Sequence, residues 1–208
     1  MKLLNSMANI VMHWVYVIFN PKIFLYLNKI FNRLYSLYKC NAFKKVESNM
    51  HLHYPVYLRG GQYITIGNNF YSDFRLRLEA WDEHLGHKFY PKIIIGNNVS
   101  INSDCHIGAI NEIIIEDDVL IASKVFITDH YHGEIINDVI CMPPSKRKLY
   151  SKGAIKIEKN VWIGEGVVIL PNVTIGANSI IGANSVVTKN IPQNSVVGGN
   201  PAKIIRIL

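Results

Sequence analysis

An aliphatic residue returns at every sixth position along more than half of the chain. The series with this spacing are Ile95, Ile101 and Ile107; Ile115, Ile121 and Ile127; and Ile157, Ile163, Ile169, Ile175, Ile181 and Val187. A period of six differs from the 3.6-residue period of an α-helix and from the two-residue alternation of a strand. It is typical of short flat strands joined by turns, with three hexads closing each triangular coil. The repeat therefore predicts an all-β, left-handed parallel β-helix.

The residues between these aliphatic positions suit tight corners. They are rich in Gly, Asn and Asp, which tolerate positive φ or bond their own backbone. Such corners are Gly96–Asn98, Glu116–Asp118, Lys159–Asn160, Gly176–Asn178 and Gly182–Asn184. The fourth residue after each marked position is small or β-branched, and Cys105 takes one of these inward slots. A weaker copy of the repeat covers Ile64–Phe70, and a two-residue slip occurs at Asn111-Glu112.

This pattern divides the chain into three parts. Residues 95–208 are expected to form the β-helix domain with a C-terminal tail, residues 46–94 irregular first coils, and residues 1–45 a helical segment. In the last, apolar residues recur at helical spacing from Ile23 to Tyr38, with basic residues among them. We expect this helix either to pack on the domain or a neighbouring subunit, or to lie on a membrane surface. The apolar run Ile10–Phe19 is too short to span a bilayer and lacks a signal-peptide cleavage site.

The composition restricts the partners. Hydrophobic residues make up 49% of the chain, which excludes a disordered protein. The net charge of +7 favours anionic partners such as phosphorylated cofactors, nucleotide sugars or an acidic membrane face. No nucleic-acid-binding motif is present. The three cysteines have unrelated spacings, so no metal site or disulfide framework is expected, and a reducing cytoplasm fits best.

The repeat stops after Ile127 and resumes near Ile155, so residues 128–154 are expected to form a structureless, protruding loop that covers a groove between subunits. The loop begins with two histidines, His130 and His132, at hexad places outside the core. A neutral imidazole near pH 7 suits the removal of a proton from a hydroxyl or amine. Asp129 and Glu134 could orient this base, or could be solvated loop carboxylates. Both histidines could also merely bond loop backbone.

Four short motifs carry a resemblance to a known family. They are Asn160–Gly164, Val168–Pro171, Val186–Lys189 and Gly199–Lys203. With them, Ile95–Leu208 resembles the hexapeptide-repeat acyltransferases, in particular the branch of maltose and galactoside acetyltransferases and the O-acetyltransferases of lipopolysaccharide and capsule synthesis. The resemblance implies acetyl-CoA as acyl donor, no metal, and a homotrimer with each active site between two subunits. Ungapped alignment favours His132 over His130 as the catalytic base.

The same resemblance assigns further residues. It implies that Trp162, Ala183, Thr188, Lys203 and Arg206 contact coenzyme A and that Asn102 contacts the acceptor. Asp129 and Trp162 are further candidates for contact with the acceptor. Trp162 could instead pack under the loop, and the two basic residues could belong to a solubilising C-terminal tail.

On the acceptor side the chain departs from the sugar acetyltransferases, because Ala109 and Ile110 stand where those enzymes have an aspartate. The segment Arg75–Glu83 is expected to interrupt the first coil, where it could shape an acceptor pocket or form an oligomer contact.

The predicted function is an acetyl-CoA-dependent O-acetyltransferase of a sugar hydroxyl in a surface polysaccharide (O-antigen, capsule or exopolysaccharide) or its precursor. One alternative is N-acetylation of a nucleotide-linked amino sugar, which would use the same base and donor. A non-catalytic β-helix that binds sugar or serves as a scaffold is an alternative of another class. The protein is expected in the cytoplasm, with residues 1–40 in contact with the inner face of the membrane in the membrane-surface interpretation.

Overall fold

The predicted β-helix is confirmed. A computed structural model of the protein describes residues 2–208, apart from the side chains of residues 2–4 and 138. The chain forms a left-handed parallel β-helix of six coils, preceded by two α-helices. Each coil contributes one short strand to each of three parallel sheets.

The first three coils take up residues 45–109. Coil 1 contains β1 (Lys45–Val46), β2 (His51–Leu52) and β3 (Tyr57–Arg59); coil 2 contains β4 (Ile64–Ile66), β5 (Tyr71–Ser72) and β6 (Arg77–Ala80). A small hairpin of β7 (Glu83–His84) and β8 (His87–Lys88) follows. Coil 3 contains β9 (Lys92–Ile95), β10 (Ser100–Ile101) and β11 (His106–Ala109).

The remaining coils run to the C-terminus. Coil 4 contains β12 (Glu112–Ile115), β13 (Leu120–Ile121) and β14 (Phe126–Thr128); coil 5 contains β15 (Ile155–Ile157), β16 (Trp162–Ile163) and β17 (Val168–Ile169). Coil 6 contains β18 (Thr174–Ile175), β19 (Ile180–Ile181) and β20 (Val186–Val187). The chain ends with β21 (Ser195–Gly198) and β22 (Lys203–Ile207), which pair antiparallel.

The aliphatic series forms the core because parallel pairing stacks its members from coil to coil. Ile107 pairs with Ile127, and Ile127 pairs with Ile169, so these side chains lie in one column. All three are fully buried, as are their counterparts in the other two sheets. Cys105 is buried in its inward slot, as predicted. The stack is a dry column, and its apolar burial stabilises the coils.

The corners adopt the backbone that their residue types favour. Asn98, Asn160, Asn178 and Asn184 have φ between 55° and 61°, in the left-handed region. Their amide groups also bond along the helix axis: Asn178 receives a hydrogen bond from the side chain of Asn160 at 2.9 Å and donates one to Asn194 at 2.8 Å. Asparagine thus both adopts the backbone conformation of the turn and hydrogen-bonds each coil to the next.

Every segment that interrupts the coils lies at the same corner, between the third strand of one coil and the first strand of the next. The connections there are residues 60–63, 81–91, 110–111, 129–154 and 170–173. Residues 46–94, predicted to be irregular, therefore hold two regular coils and the hairpin. The prediction that Arg75–Glu83 interrupts a coil is wrong, because strand β6 continues through Ala80 and only then does the chain leave the sheet.

The loop of residues 129–154 is also more ordered than predicted. Tyr131 and Tyr150 exchange backbone hydrogen bonds of 2.9 and 3.0 Å that close its stem. It contains a short helix, α3 (Asn137–Ile140), where α1 and α2 are the N-terminal helices described below. The guanidinium of Arg147 donates to the carbonyl oxygens of Ile140 and Met142. These internal bonds give the loop a folded structure of its own.

Two helices, α1 (Lys2–Ile18) and α2 (Pro21–Cys40), precede the coils. Asn20 caps α2 by accepting from the Lys22 backbone, and Pro21 occupies the first position, where no N–H is needed. The predicted helical segment is thus confirmed. Within the described residues, one helical segment, Asn5–Cys40, is long and apolar enough to cross a membrane by length and composition.

Candidate active site

A pocket of about 180 Å³ opens at the loop-bearing corner, beside the third sheet. Strands of coils 2, 3 and 4 form its floor, and the hairpin and the 129–154 loop form its walls. Four histidines converge on it, together with a buried carboxylate and aromatic side chains. Its lining residues are Arg77, Glu79, Trp81, His84, His106, Phe126, Thr128, His130, His132 and Leu149.

His130 is held by the residue that precedes it. Its Nδ1 lies 3.0 Å from Oδ1 of Asp129 and 3.2 Å from the hydroxyl of Thr128. The histidine side chain is 14% exposed, at the pocket surface, whereas Asp129 is completely buried. Nε2 of His130 has no hydrogen-bond partner among the described residues.

Asp129 is fixed in turn by the backbone of the preceding coil. Its two carboxylate oxygens accept hydrogen bonds from the backbone N–H groups of Ile110 and Asn111, at 2.9 and 2.8 Å. Those two residues form the short connection between coils 3 and 4, so their N–H groups are left over from the sheet ladder. These two bonds fix the position and orientation of the carboxylate. Asp129 is therefore well placed to accept the proton on Nδ1 of His130 as a hydrogen bond.

The structure places His132 differently. Its side chain is exposed and its ring lies 6.0 Å from that of His84 on the hairpin, in an edge-on contact. Glu134, the other candidate orienting carboxylate, is exposed and lines a separate surface depression. Among the two candidate histidines and the two candidate carboxylates, only His130 and Asp129 are hydrogen-bonded to each other.

A second polar cluster in the pocket was not predicted from the sequence. Glu79 is 3% exposed, and one of its oxygens lies 3.1 Å from Nε2 of His106 and 3.0 Å from Nε of Arg77. The indole N–H of Trp81 points to the same oxygen at 3.4 Å, and the guanidinium of Arg59 lies 3.4 Å from the centre of its ring. The cluster forms a rigid, charged wall opposite His130.

The electrostatics of this wall follow from burial and charge. Burial raises the pKa of Glu79, but its bonds and charge interaction with Arg77 outweigh this effect and leave that pKa below its usual value. Burial, together with the positive charge of Arg77, lowers the pKa of His106 despite the nearby carboxylate. His106 is therefore neutral near pH 7, while Glu79 and Arg77 are charged.

The remaining predicted site residues do not meet His130 within one chain. Trp162 lies on the outer face of the second sheet, 51% exposed, and Asn102 follows β10 of the same sheet. Ala183 and Thr188 are exposed on coil 6. Lys203 and Arg206 are exposed on β22, so the predicted tail is a strand paired with β21. No group of three metal-ligating side chains with metal-site geometry occurs among the described residues.

The stacked hexads and the corner histidine site define the class of hexapeptide-repeat proteins. The family model for the bacterial transferase hexapeptide (six repeats) matches residues 154–189. The chain is 42% identical over 159 residues to WbbJ of Escherichia coli K12, a protein named as a lipopolysaccharide biosynthesis O-acetyl transferase. This match covers 74% of the chain and 77% of that protein. The galactoside O-acetyltransferase of E. coli K12 is 35% identical over 165 residues, which cover 79% of the chain and 64% of that enzyme.

A solved structure agrees with these relatives. A hexapeptide-repeat-containing acetyltransferase of Vibrio cholerae, in complex with acetyl coenzyme A, superposes with a TM-score of 0.52 at 26% identity. The match covers 82% of this chain and 74% of that one. The chain therefore belongs to the hexapeptide-repeat acetyltransferase family, and the resemblance inferred from its motifs is confirmed.

Proposed function

We propose that the protein transfers the acetyl group of acetyl-CoA to a sugar hydroxyl of a surface polysaccharide or its precursor. The observation that carries this proposal is the His130–Asp129 pair at the mouth of a polar pocket. The relatives named above support the reaction class, since two are O-acetyltransferases by name and one was solved with acetyl-CoA. The charged wall around Glu79 supports an acceptor rich in hydroxyl groups, which both donate and accept hydrogen bonds.

In this proposal the base is His130, not the His132 that sequence alignment favours. Because Asp129 accepts from Nδ1, the imidazole carries its proton there and keeps a free electron pair on Nε2. Nε2 takes the proton of the acceptor hydroxyl while its oxygen bonds to the thioester carbonyl carbon. The tetrahedral intermediate then collapses, the C–S bond breaks, and the imidazolium returns its proton to the departing thiolate of coenzyme A. Asp129 stabilises the imidazolium throughout.

Substitution of the two histidines tests this assignment. His130→Asn should lower kcat for acetyl transfer by about 100- to 10,000-fold, the usual contribution of a general base. The matched control His132→Asn removes a neighbouring, exposed imidazole and should retain activity within about tenfold. Release of the free thiol of coenzyme A, followed with a panel of sugars and amino sugars, gives the rate and the acceptor. A larger loss in His132→Asn than in His130→Asn would refute the assignment, and transfer only to amino groups would favour the N-acetyltransferase alternative.

The donor side is proposed to come from a neighbouring subunit of a homotrimer. Trp162, Ala183 and Thr188 lie on coils 5 and 6 and do not line the pocket around His130, which is in keeping with a site shared between two chains. Lys203 and Arg206 would then neutralise phosphate groups of coenzyme A. Acetyl-CoA and nucleotide-linked precursors are made in the cytoplasm, where we place the reaction.

A mixing experiment separates a shared site from a site within one chain. His130→Asn removes the base, and Ala183→Trp fills the proposed pantetheine groove, so each variant alone should be inactive. In trimers co-expressed from both chains, about one quarter of the interfaces combine an intact base with an intact donor face. Activity recovered to that level supports the shared site, whereas no recovery, with mixed trimers confirmed by mass, contradicts it.

A further inference from the structure

All of the net charge of the chain comes from its first 46 residues. That segment holds seven Lys and Arg residues and no Asp or Glu, whereas residues 47–208 hold 15 basic and 15 acidic residues. The acetyltransferase body is thus neutral overall; its two N-terminal helices carry five of the seven basic residues, and Lys44 and Lys45 follow them. A charge separated in this way marks residues 1–46 as the part that meets an anionic partner.

One side of α2 is attached to the end of the β-helix. The hydroxyl of Ser36 accepts a 2.8 Å hydrogen bond from the Leu52 backbone, and the hydroxyl of Tyr35 accepts a 3.1 Å bond from the Val56 backbone. These side chains satisfy N–H groups at the open edge of coil 1, which α2 rather than another coil precedes. The helix therefore caps the β-helix and is held rigidly against it.

The other side of α2 is apolar and uncovered. Ile23, Leu27, Ile30 and Leu34 follow the spacing of one helix face, and they are 42–61% exposed. Lys22, Lys29 and Arg33 form an exposed stripe along the flank of this face, at spacings of seven and four residues. Apolar side chains flanked by a basic stripe are typical of a helix that lies in the interface of a bilayer.

Helix α1 continues this surface. Its polar residues Asn5, Ser6, Asn9 and His13 fall within one sector of the helix, which leaves the other sides apolar. Trp14 and Ile18 on the apolar side are 60% and 68% exposed. Tryptophan is enriched at the level of lipid headgroups, where its ring is apolar and its N–H is solvated. Most of the large apolar side chains of the two helices are exposed, and such a concentration marks an interaction surface.

We propose that residues 2–40 are a docking surface for an anionic phospholipid bilayer, with both helices lying in the plane of the interface. The charge selects this partner over a second copy of the chain, because two copies of residues 2–40, each with five positive charges and no negative one, repel each other. A transmembrane course is disfavoured by the break at Asn20-Pro21 and by four charges within α2. The 17 residues of α1 span only about 26 Å, less than the roughly 30 Å hydrocarbon core.

Flotation with lipid vesicles tests this proposal on the full-length protein. The protein should float with vesicles of 70% phosphatidylcholine and 30% phosphatidylglycerol, and much less with pure phosphatidylcholine. Replacing Lys22, Lys29 and Arg33 with Gln should weaken binding to the anionic vesicles on the order of 100-fold. Neutralising three exposed lysines of the 129–154 loop provides the matched control and should change binding little; they are Lys146, Lys148 and Lys152.

A second pair of variants tests the apolar face. Trp14→Ser with Ile18→Ser should abolish flotation while acetyl transfer to a water-soluble acceptor is retained, because neither residue lies in the catalytic pocket. Sodium carbonate extraction at high pH should release the wild-type protein from the vesicles. Retention after that extraction would overturn the interfacial arrangement in favour of a spanning helix.

Two further results would overturn the proposal. One is the absence of flotation with anionic vesicles at about 0.1 M salt. The other is a larger oligomer that the Trp14→Ser and Ile18→Ser changes dissociate while vesicle binding is absent, which would assign the face to a second copy. Neither result would bear on the acetyltransferase activity, since that is measured with a soluble acceptor.

Discussion

Replacing Asp129 with Asn is the sharpest test of how the active site is organised. The carboxylate accepts from Ile110 N, Asn111 N and Nδ1 of His130, at 2.9, 2.8 and 3.0 Å. An amide of the same size has a single acceptor oxygen, so its NH₂ group must face a donor or turn to His130. In the latter case Nδ1 has to accept, the proton moves to Nε2, and the electron pair needed for the base is lost.

The expected magnitudes follow from these contacts. Loss of one hydrogen bond to a charged acceptor should lower the free energy of unfolding by about 1.5–3 kcal/mol. The melting temperature should fall by about 2–4 °C for each kcal/mol. The wrong tautomer should lower kcat by about 100- to 10,000-fold, as for loss of the base itself. The KM for acetyl-CoA should stay within about threefold, because the residues proposed to bind the donor lie on coils 5 and 6 and on β22.

Thiol release and thermal unfolding of the same preparation measure both effects. Glu134→Gln is the matched control, since it makes the same change of charge at an exposed loop position and should leave both values unaltered. If Asp129→Asn folds and keeps kcat within threefold of the wild type, Asp129 does not set the tautomer of the base. A folded variant with a normal kcat and a raised KM for acetyl-CoA would place the donor, rather than the base, beside this carboxylate.

Three further changes test the pocket, the corners and the acid response. Gly108→Ala places a methyl group 3.4 Å from His106 Nε2 and 3.6 Å from His130 Cε1, so acceptor KM should rise about tenfold in steady-state assays, with an unchanged melting temperature. Asn178→Ala, at φ 61°, should cost about 1–2 kcal/mol in urea unfolding, and Asn178→Gly less. Burial lowers the pKa of His106, so below about pH 6.5 the unfolded chain binds more protons than the folded chain. The free energy of unfolding should therefore decrease as the pH is lowered through this range, and it should decrease less in His106→Gln.

The sequence predicts most of the fold because each hexad reports its own position in a coil. The weaker prediction for coils 1 and 2 has a physical cause in their residue types. Inward positions there are held by Leu52, Phe70, Ser72 and Leu76, all buried, rather than by a series of isoleucines. The ring of Phe70 and the hydroxyl of Ser72 can both fill inward positions when side chains of the neighbouring coils pack around them. Such residues are not aliphatic, however, so the six-residue repeat is no longer visible in the sequence.

The site could be predicted only in part, because the decisive contacts join different coils. His130 and His132 both lie outside the core positions of the hexad, at its fourth and sixth places, and each has an acidic residue within two positions in the sequence. What separates them is Asp129, which the backbone N–H groups of Ile110 and Asn111 fix beneath His130. Those donors exist because the connection between coils 3 and 4 is only two residues long. The sequence shows this connection as a slip in the repeat, but its role depends on the folded backbone.

The contact between Glu79 and His106 was not predicted for the same reason, since it also joins different coils. The two residues lie on neighbouring strands of the third sheet, offset by two positions: His106 lies opposite Arg77, and Gly108 opposite Glu79. In regular coils such partners lie about one coil apart in sequence, but the 81–91 hairpin lengthens this interval. That corner accepts insertions because they leave the sheets on either side intact. Insertions at this corner enclose the pocket and also change the sequence distance between its contacting residues, so the contact between Glu79 and His106 could not be predicted from the repeat.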